Sequence, residues 1–153
     1  LNKDVEYNLR ASVLNYIKNN QALAIDTALI SLMPHAEFFK FVRHIQKNGY
    51  IFNVASRAAK YGFADGGIYG STKFALLGLA ESLYRELAPL GIRVTTLCPG
   101  WVNTDMAKKA GTPFKDEEMI QPDDLLNTIR CLLNLSENVC IKDIVFEMKK
   151  SII

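Results

Sequence analysis

The sequence predicts an α/β chain built on a parallel sheet, and three consecutive stretches carry that prediction. Residues 50–55 form a short, mostly apolar run of the kind that makes a buried strand. Residues 69–90 place Leu76, Ala80, Leu83 and Leu87 at helical spacing, giving one apolar stripe, and Gly91 follows as a stop. Residues 92–98 are a second apolar run, closed by the sharp turn of Pro99-Gly100. A strand, a helix and a strand in this order make a right-handed parallel unit. Ligands of such sheets bind at the carboxyl ends of the strands. Ser56 follows the first of these strands, Pro99-Gly100 follows the second, and the helix between them begins at the same edge.

The remaining elements follow from the same periodicities. Residues 3–18 have Val5, Leu9, Val13, Leu14 and Ile17 at helical spacing, ending at Lys18-Asn19-Asn20. Residues 22–47 carry a longer helical pattern through Ala22, Ile25, Leu29, Leu32, Phe38, Phe41, Val42 and Ile45. Pro34, which has no amide hydrogen, should bend or break it, and Gly49 ends it. Residues 57–68 read as a loop with Gly62, Gly66 and Gly67. Residues 103–119 read as a polar, partly helical loop containing Gly111 and Pro113. Pro122 followed by Asp123-Asp124 opens another helix, because proline is tolerated at its first position and carboxylates suit its positive end. Leu125, Leu126, Ile129, Leu132 and Leu133 give that helix its core face, and residues 141–148 read as a last strand.

Length and composition set bounds. The 153 residues fit one domain, spanning 1–153, and 49% hydrophobic residues can bury a real core. A net charge of +2 with both signs interspersed is the pattern of a solvated surface, so a nucleic-acid partner is not expected. Cys98, Cys131 and Cys140 are odd in number, and Cys98 and Cys131 lie in apolar runs. All three are expected to be reduced core thiols of a cytoplasmic protein. His35 and His44 lack partners at ligand spacing, which argues against a metal site. No run reaches the ~18 apolar residues of a membrane span, and the first residues lack the apolar stretch of a signal peptide. The chain does not begin with Met, so it is expected to start inside a longer protein or after processing.

The chemistry is concentrated in Tyr69-Gly70-Ser71-Thr72-Lys73. On a helix, positions i and i+4 share a face, so Tyr69 and Lys73 point the same way. A free phenol titrates near ~10, and a neighbouring ammonium favours its charged form. With that help a tyrosine can serve as an acid–base group at neutral pH. Ser56, thirteen residues before Tyr69, offers a hydroxyl to hold a carbonyl oxygen beside the phenol.

Taken together, these residues and Pro99-Gly100-Trp101-Val102-Asn103-Thr104 resemble the short-chain dehydrogenases/reductases over about residues 22–148. Ser56, Tyr69 and Lys73 match that family's Ser, Tyr and Lys, and the second segment matches its Pro-Gly-x-x-x-Thr. The resemblance implies a Rossmann-like, doubly wound parallel sheet with helices on both faces, incomplete in its N-terminal half. It implies NADP or NAD as cofactor and a small carbonyl or alcohol substrate. Tyr69 would be the general acid/base, Lys73 would assist it and bond the nicotinamide ribose, and Ser56 would position the substrate oxygen. Pro99, Gly100 and Val102 would line the nicotinamide, and Thr104 would bond its carboxamide or the phosphates. The segment 103–119 would cover the substrate, with Trp101, Met106 and Phe114 either touching it or packing the loop. Family members pair long helices, here 22–47 and 69–90, so a homodimer or homotetramer is expected.

Three departures from the family pattern stand out. The Gly-x-x-x-Gly-x-Gly phosphate turn is absent from these 153 residues, and with it the helix N-terminus that holds a pyrophosphate. Asn19-Asn20-Gln21-Ala22 is a poor match for the family's Asn-Asn-Ala-Gly. Ala28 stands where many members carry a catalytic Asn. Half of such a sheet would expose an apolar edge, so a longer or cleaved parent chain is expected. The leading reading is an NAD(P)-dependent oxidoreductase, 3-oxoacyl reductase-like. The competing reading is a non-catalytic remnant acting through association. An epimerase or dehydratase would share Tyr-x-x-x-Lys but not Pro-Gly-x-x-x-Thr. Thioester, small ketone, sugar and pterin-like carbonyls all remain open.

Overall fold

The computed structural model describes residues 22–25, as backbone, and residues 49–150. The expected helix over 3–18, the greater part of the pattern over 22–47 with its Pro34 break, and Ala28 lie outside the described residues. Four strands form one sheet: β1 (Ala22–Ile25), β2 (Gly49–Val54), β3 (Ile92–Pro99) and β4 (Asp143–Phe146). They lie side by side in chain order and all pairings are parallel. Ala22 faces Tyr50 at the start of the first pairing, Gly49 faces Ile92 in the second, and Thr96 faces Asp143 in the third.

The expectation that Ala22 and Ile25 begin a helix is corrected: they lie in β1. Ala-Leu-Ala-Ile is four residues long, too short for periodicity to separate strand from helix. Pairing with β2 satisfies backbone groups that β2 would otherwise leave open on that side.

Between β2 and β3 runs α1 (Gly67–Leu87), which continues into a single 3₁₀ turn at Ala88–Leu90. Pro89 cannot donate the next helical hydrogen bond. Gly91 then takes a left-handed φ of 76° while its N–H returns to the Ala88 carbonyl, a conformation that suits glycine. After β3 come α2 (Asp105–Lys109) and α3 (Pro122–Leu133). The Asp124 carboxylate accepts the Gln121 N–H at 2.9 Å, closing the start of α3.

Side chains alternate across the sheet and so feed two core layers. Ile51 and Val94 pack with Ala80, Leu83 and Leu87 of α1. Tyr50, Phe52 and Leu97 pack on the opposite side with Ile129 and Leu132 of α3. The helices therefore cover both faces, which is the doubly wound arrangement. Burying each such large side chain contributes about 1.5–3 kcal/mol. Two buried polar residues share the α1 face: Asn53 and Thr96, partners in register and both fully buried. Neither side chain has a hydrogen-bond partner among the described residues.

The cysteine expectation holds in one part and fails in another. Cys98 is buried, but Cys131 is exposed and Cys140 only half-buried; all three thiols are free. Burial of Leu132 turns its neighbour Cys131 about 100° around the helix, away from the sheet.

Candidate functional site

Ser56 sits where β2 ends. Its extended backbone (φ −169°, ψ 161°) leads into a 3₁₀ turn over Arg57–Ala59, which it caps. Its Oγ accepts the Ala58 N–H at 3.1 Å, and its carbonyl accepts the Ala59 N–H at 2.9 Å. The first bond takes one lone pair of the hydroxyl and leaves its proton free to donate. Ala58 and Ala59 are buried, so the turn is seated on the core rather than free of it.

Tyr69 lies in the first turn of α1 and is 48% exposed. Lys73 follows one turn later, and its ammonium nitrogen stands 5.6 Å from the centre of the Tyr69 ring. The i, i+4 geometry expected from the sequence is therefore present. The ring of Phe63, itself exposed, meets Tyr69 edge-on at 6.5 Å. Phe63 was not found by sequence reasoning; it carries no spacing signal and reaches Tyr69 only because the loop folds back before α1. The loop pays for that course with one left-handed residue, Asp65 at φ 60°. The Phe63 ring occupies the space a Cβ on Gly66 would take, 2.0 Å away, so a side chain there would displace the ring. The start of α1 rests on the Ser56 turn: a Cβ on Gly70 would be in van der Waals contact with the Ala58 carbonyl, 3.8 Å away.

At the end of β3, Pro99 is buried and Gly100 donates its N–H to the Phe146 carbonyl of β4 at 2.9 Å. A Cβ on Gly100 would stand 3.4 Å from that carbonyl, at van der Waals contact. Val102 pairs with Ile120 through an isolated parallel bridge. The Ile120 N–H bonds to the Trp101 carbonyl at 3.0 Å, and the Asn103 N–H to the Ile120 carbonyl at 2.8 Å. The Thr104 hydroxyl is engaged locally: it caps α2 through the Ala107 N–H and reaches the Val102 carbonyl, each at 3.3 Å. Trp101 and Phe114 pack against Ala107, Met119, Ile120 and Met148, whereas Met106 is 77% exposed.

Between the two strand ends lies Cys98, packed with Ala55, Ala59 and Leu76. Burial pushes its thiol above the ordinary value, against the pull of the Lys60 and Lys73 ammoniums. Ser56, the Tyr69–Lys73 pair and the Pro99-Gly100 turn thus share the carboxyl edge of the sheet. A separate cleft of about 140 Å³ opens between α1 and the strands, lined by Leu77, Ala80, Tyr84, Val94 and Thr96. It contains none of the expected site residues, which lie at the carboxyl edge instead. Among the described residues there is no cluster of three potential metal ligands, and no helix is long and apolar enough to cross a membrane.

The sequence profile of the short chain dehydrogenases matches residues 24–114, more than half of the chain. The chain belongs to the short-chain dehydrogenase family. It is similar to a β-ketoacyl-ACP reductase from Bacteroides thetaiotaomicron, with 87% identity and a TM-score of 0.66 over 76% of this chain and 50% of that one. It is 38% identical over 78 residues to a 3-oxoacyl-[acyl-carrier-protein] reductase of Chlamydia pneumoniae, covering 50% of this chain and 32% of the relative. An actinorhodin polyketide ketoreductase solved with NADPH is 26% identical, with a TM-score of 0.56 over 65% of this chain and 46% of that one. The chain spans half or less of the length of these relatives. Short-chain dehydrogenases are oxidoreductases, and the parallel sheet with helices on both faces agrees with the family's fold.

Proposed function

We propose that this chain supplies the proton-handling part of an NAD(P)-dependent reductase acting on a 3-oxoacyl substrate. The observation that carries the reading is the exposed Tyr69 phenol with the Lys73 ammonium 5.6 Å from its ring, on a helix whose start lies against the turn that Ser56 caps. The 87% identity to a β-ketoacyl-ACP reductase supports the substrate class. The nicotinamide end of NADP or NAD fits this edge. Tyr69 and Lys73 present polar groups there, and Gly100 leaves the turn after β3 without a side chain. When bound, the cofactor supplies a hydride. Val102 and Thr104 stand on the same segment, where they would line that end.

The chain's own residues then handle the oxygen. Ser56 Oγ, oriented by its bond to the Ala58 N–H, donates a hydrogen bond to the substrate carbonyl oxygen. The Tyr69 hydroxyl gives its proton to that oxygen as the alkoxide forms. The Lys73 ammonium favours the phenolate that remains, and would bond the nicotinamide ribose. The free thiols of Cys98, Cys131 and Cys140 suit a reducing compartment, and the reading is of a cytoplasmic homodimer or homotetramer.

Replacing Tyr69 by Phe removes one oxygen from an exposed site. NADPH oxidation with an acetoacetyl thioester should fall about 10²- to 10⁴-fold, with an unchanged melting temperature. Near-normal turnover in that variant would sink the assignment. A second reading, a non-catalytic member acting by association, draws on Ala28 and on the missing glycine-rich turn. Titration of the intact protein with NADPH separates the two, since an associating remnant needs no cofactor.

A further inference from the structure

We propose that the last strand positions Ser56: Asp143 and Glu147 hold the turn that carries it, through ion pairs to Lys60 and Arg57. The proposal rests on the reading of Ser56 as the ligand of the substrate oxygen. The Arg57 guanidinium donates to Glu147 Oε2 at 3.0 Å, and the Lys60 ammonium pairs with the Asp143 carboxylate. Arg57 and Lys60 bracket the buried pair Ala58-Ala59, the first opening the 3₁₀ turn and the second closing it. Asp143 opens β4 and Glu147 directly follows its last residue, Phe146. Both pairs are present at once, one from each end of the turn.

The topology makes these contacts more than surface decoration. β4 does not neighbour β2; β3 lies between them. The Ser56 turn therefore reaches across the carboxyl end of β3 to be held by β4. The same strand holds the other half of the site, because the Gly100 N–H bonds to the Phe146 carbonyl at 2.9 Å. One short edge strand thus sets the relative position of the Ser56 turn and the Pro99-Gly100 turn. The side chains of both ion pairs are between 31% and 39% exposed, so the pairs add little to global stability. Within the turn, the bonds from Ala58 and Ala59 back to Ser56 keep its shape. What the carboxylates add is placement of that preformed turn against Tyr69. Asp143 and Glu147 are positioning residues, and neither touches the substrate.

Amide hydrogen exchange at Ala58 and Ala59 in the intact protein tests this, since their N–H groups bond to Ser56. In Asp143→Asn with Glu147→Gln, exchange there should quicken about three- to ten-fold, while Val94 and Leu97 in β3 keep theirs. Each single change should do less. The exchanged pair, Arg57→Glu with Glu147→Arg, should recover protection that Glu147→Arg alone loses. In the same variants kcat should fall by a similar factor with the cofactor KM unchanged. Unaltered exchange at Ala58 and Ala59 in the double variant would overturn the clamp, whatever the turnover. Faster exchange with full kcat would overturn its link to Ser56 chemistry. Absence of turnover in the unaltered protein would count against the catalytic reading of Ser56 instead, and exchange would still decide the clamp.

Discussion

The two turns at the carboxyl edge do similar work and are held in different ways. The turn after β2 carries Ser56 and is tied to β4 by side-chain ion pairs at the surface. The turn after β3 carries Pro99-Gly100 and is tied by backbone hydrogen bonds, with Met119, Ile120, Ala107 and Met148 packed beneath the segment that follows. A surface ion pair is weak and screened by salt. Backbone bonds over an apolar cluster are neither, because the groups are short-ranged and shielded from water. The tie of the first turn to β4 should therefore respond to charge and ionic strength, and that of the second to packing.

The largest effect should come from the packed turn. Ile120 is buried, and both its N–H and its carbonyl clasp the segment 101–103. Ile120→Ala should cost about 2–4 kcal/mol in urea unfolding, while exchange at Ala58 and Ala59 stays as it was. A loss of protection at both turns would show that they are one cooperative unit. Next in size is a change between the turns. The Thr96 hydroxyl is buried and has no partner among the described residues. Thr96→Val keeps the shape and removes an uncompensated polar atom, so stability should rise by up to about 1 kcal/mol. A loss instead would mean that an ordered water or another segment satisfies that hydroxyl.

Salt gives a smaller and more selective contrast. Raising ionic strength from 0.1 to 1 M shortens the screening length from about 10 to about 3 Å. Exchange at Ala59 should quicken a few-fold, and exchange at Gly100 should not change. Equal responses would erase the distinction between the two turns.

The smallest effect concerns the thiol between them. Burial raises Cys98 above the ordinary thiol value of 9.0. The folded state then keeps a proton that the unfolded chain has released. Its contribution to stability is whole below pH 9 and is lost as pH rises from there through the folded value. Thermal melts between pH 7 and 10 should decline at the alkaline end, and Cys98→Ala should flatten that decline by up to one proton per chain.

Much of this edge was legible before any coordinates. Tyr69 and Lys73 fall on one helix face because the helical repeat puts them there. The strands of β2 and β3 were visible as apolar runs of the right length. Ser56 and Pro99-Gly100 then had to fall at the same edge, because parallel strands end together. The failures were of two kinds. Ala22–Ile25 is too short for its period to be measured, and its pairing with β2 decided its conformation. Cys131 lies in an apolar run, but the helix turns it outward once Leu132 points in.

The amino-acid sequence by itself determined the order of strand and helix after residue 49, the parallel sense of the strands, and the residue types brought to the edge. These depend on local period and chain direction, which each segment carries within itself. Only the tertiary structure decided that Phe63 lies against Tyr69, that Thr104 turns its hydroxyl back to cap α2, and that Asp143 and Glu147 reach Lys60 and Arg57. The ion-pair partners are 83 and 90 residues apart, as 143 − 60 and 147 − 57 give. No local pattern couples positions that distant; they meet because β3 sets β4 beside the carboxyl end of the sheet.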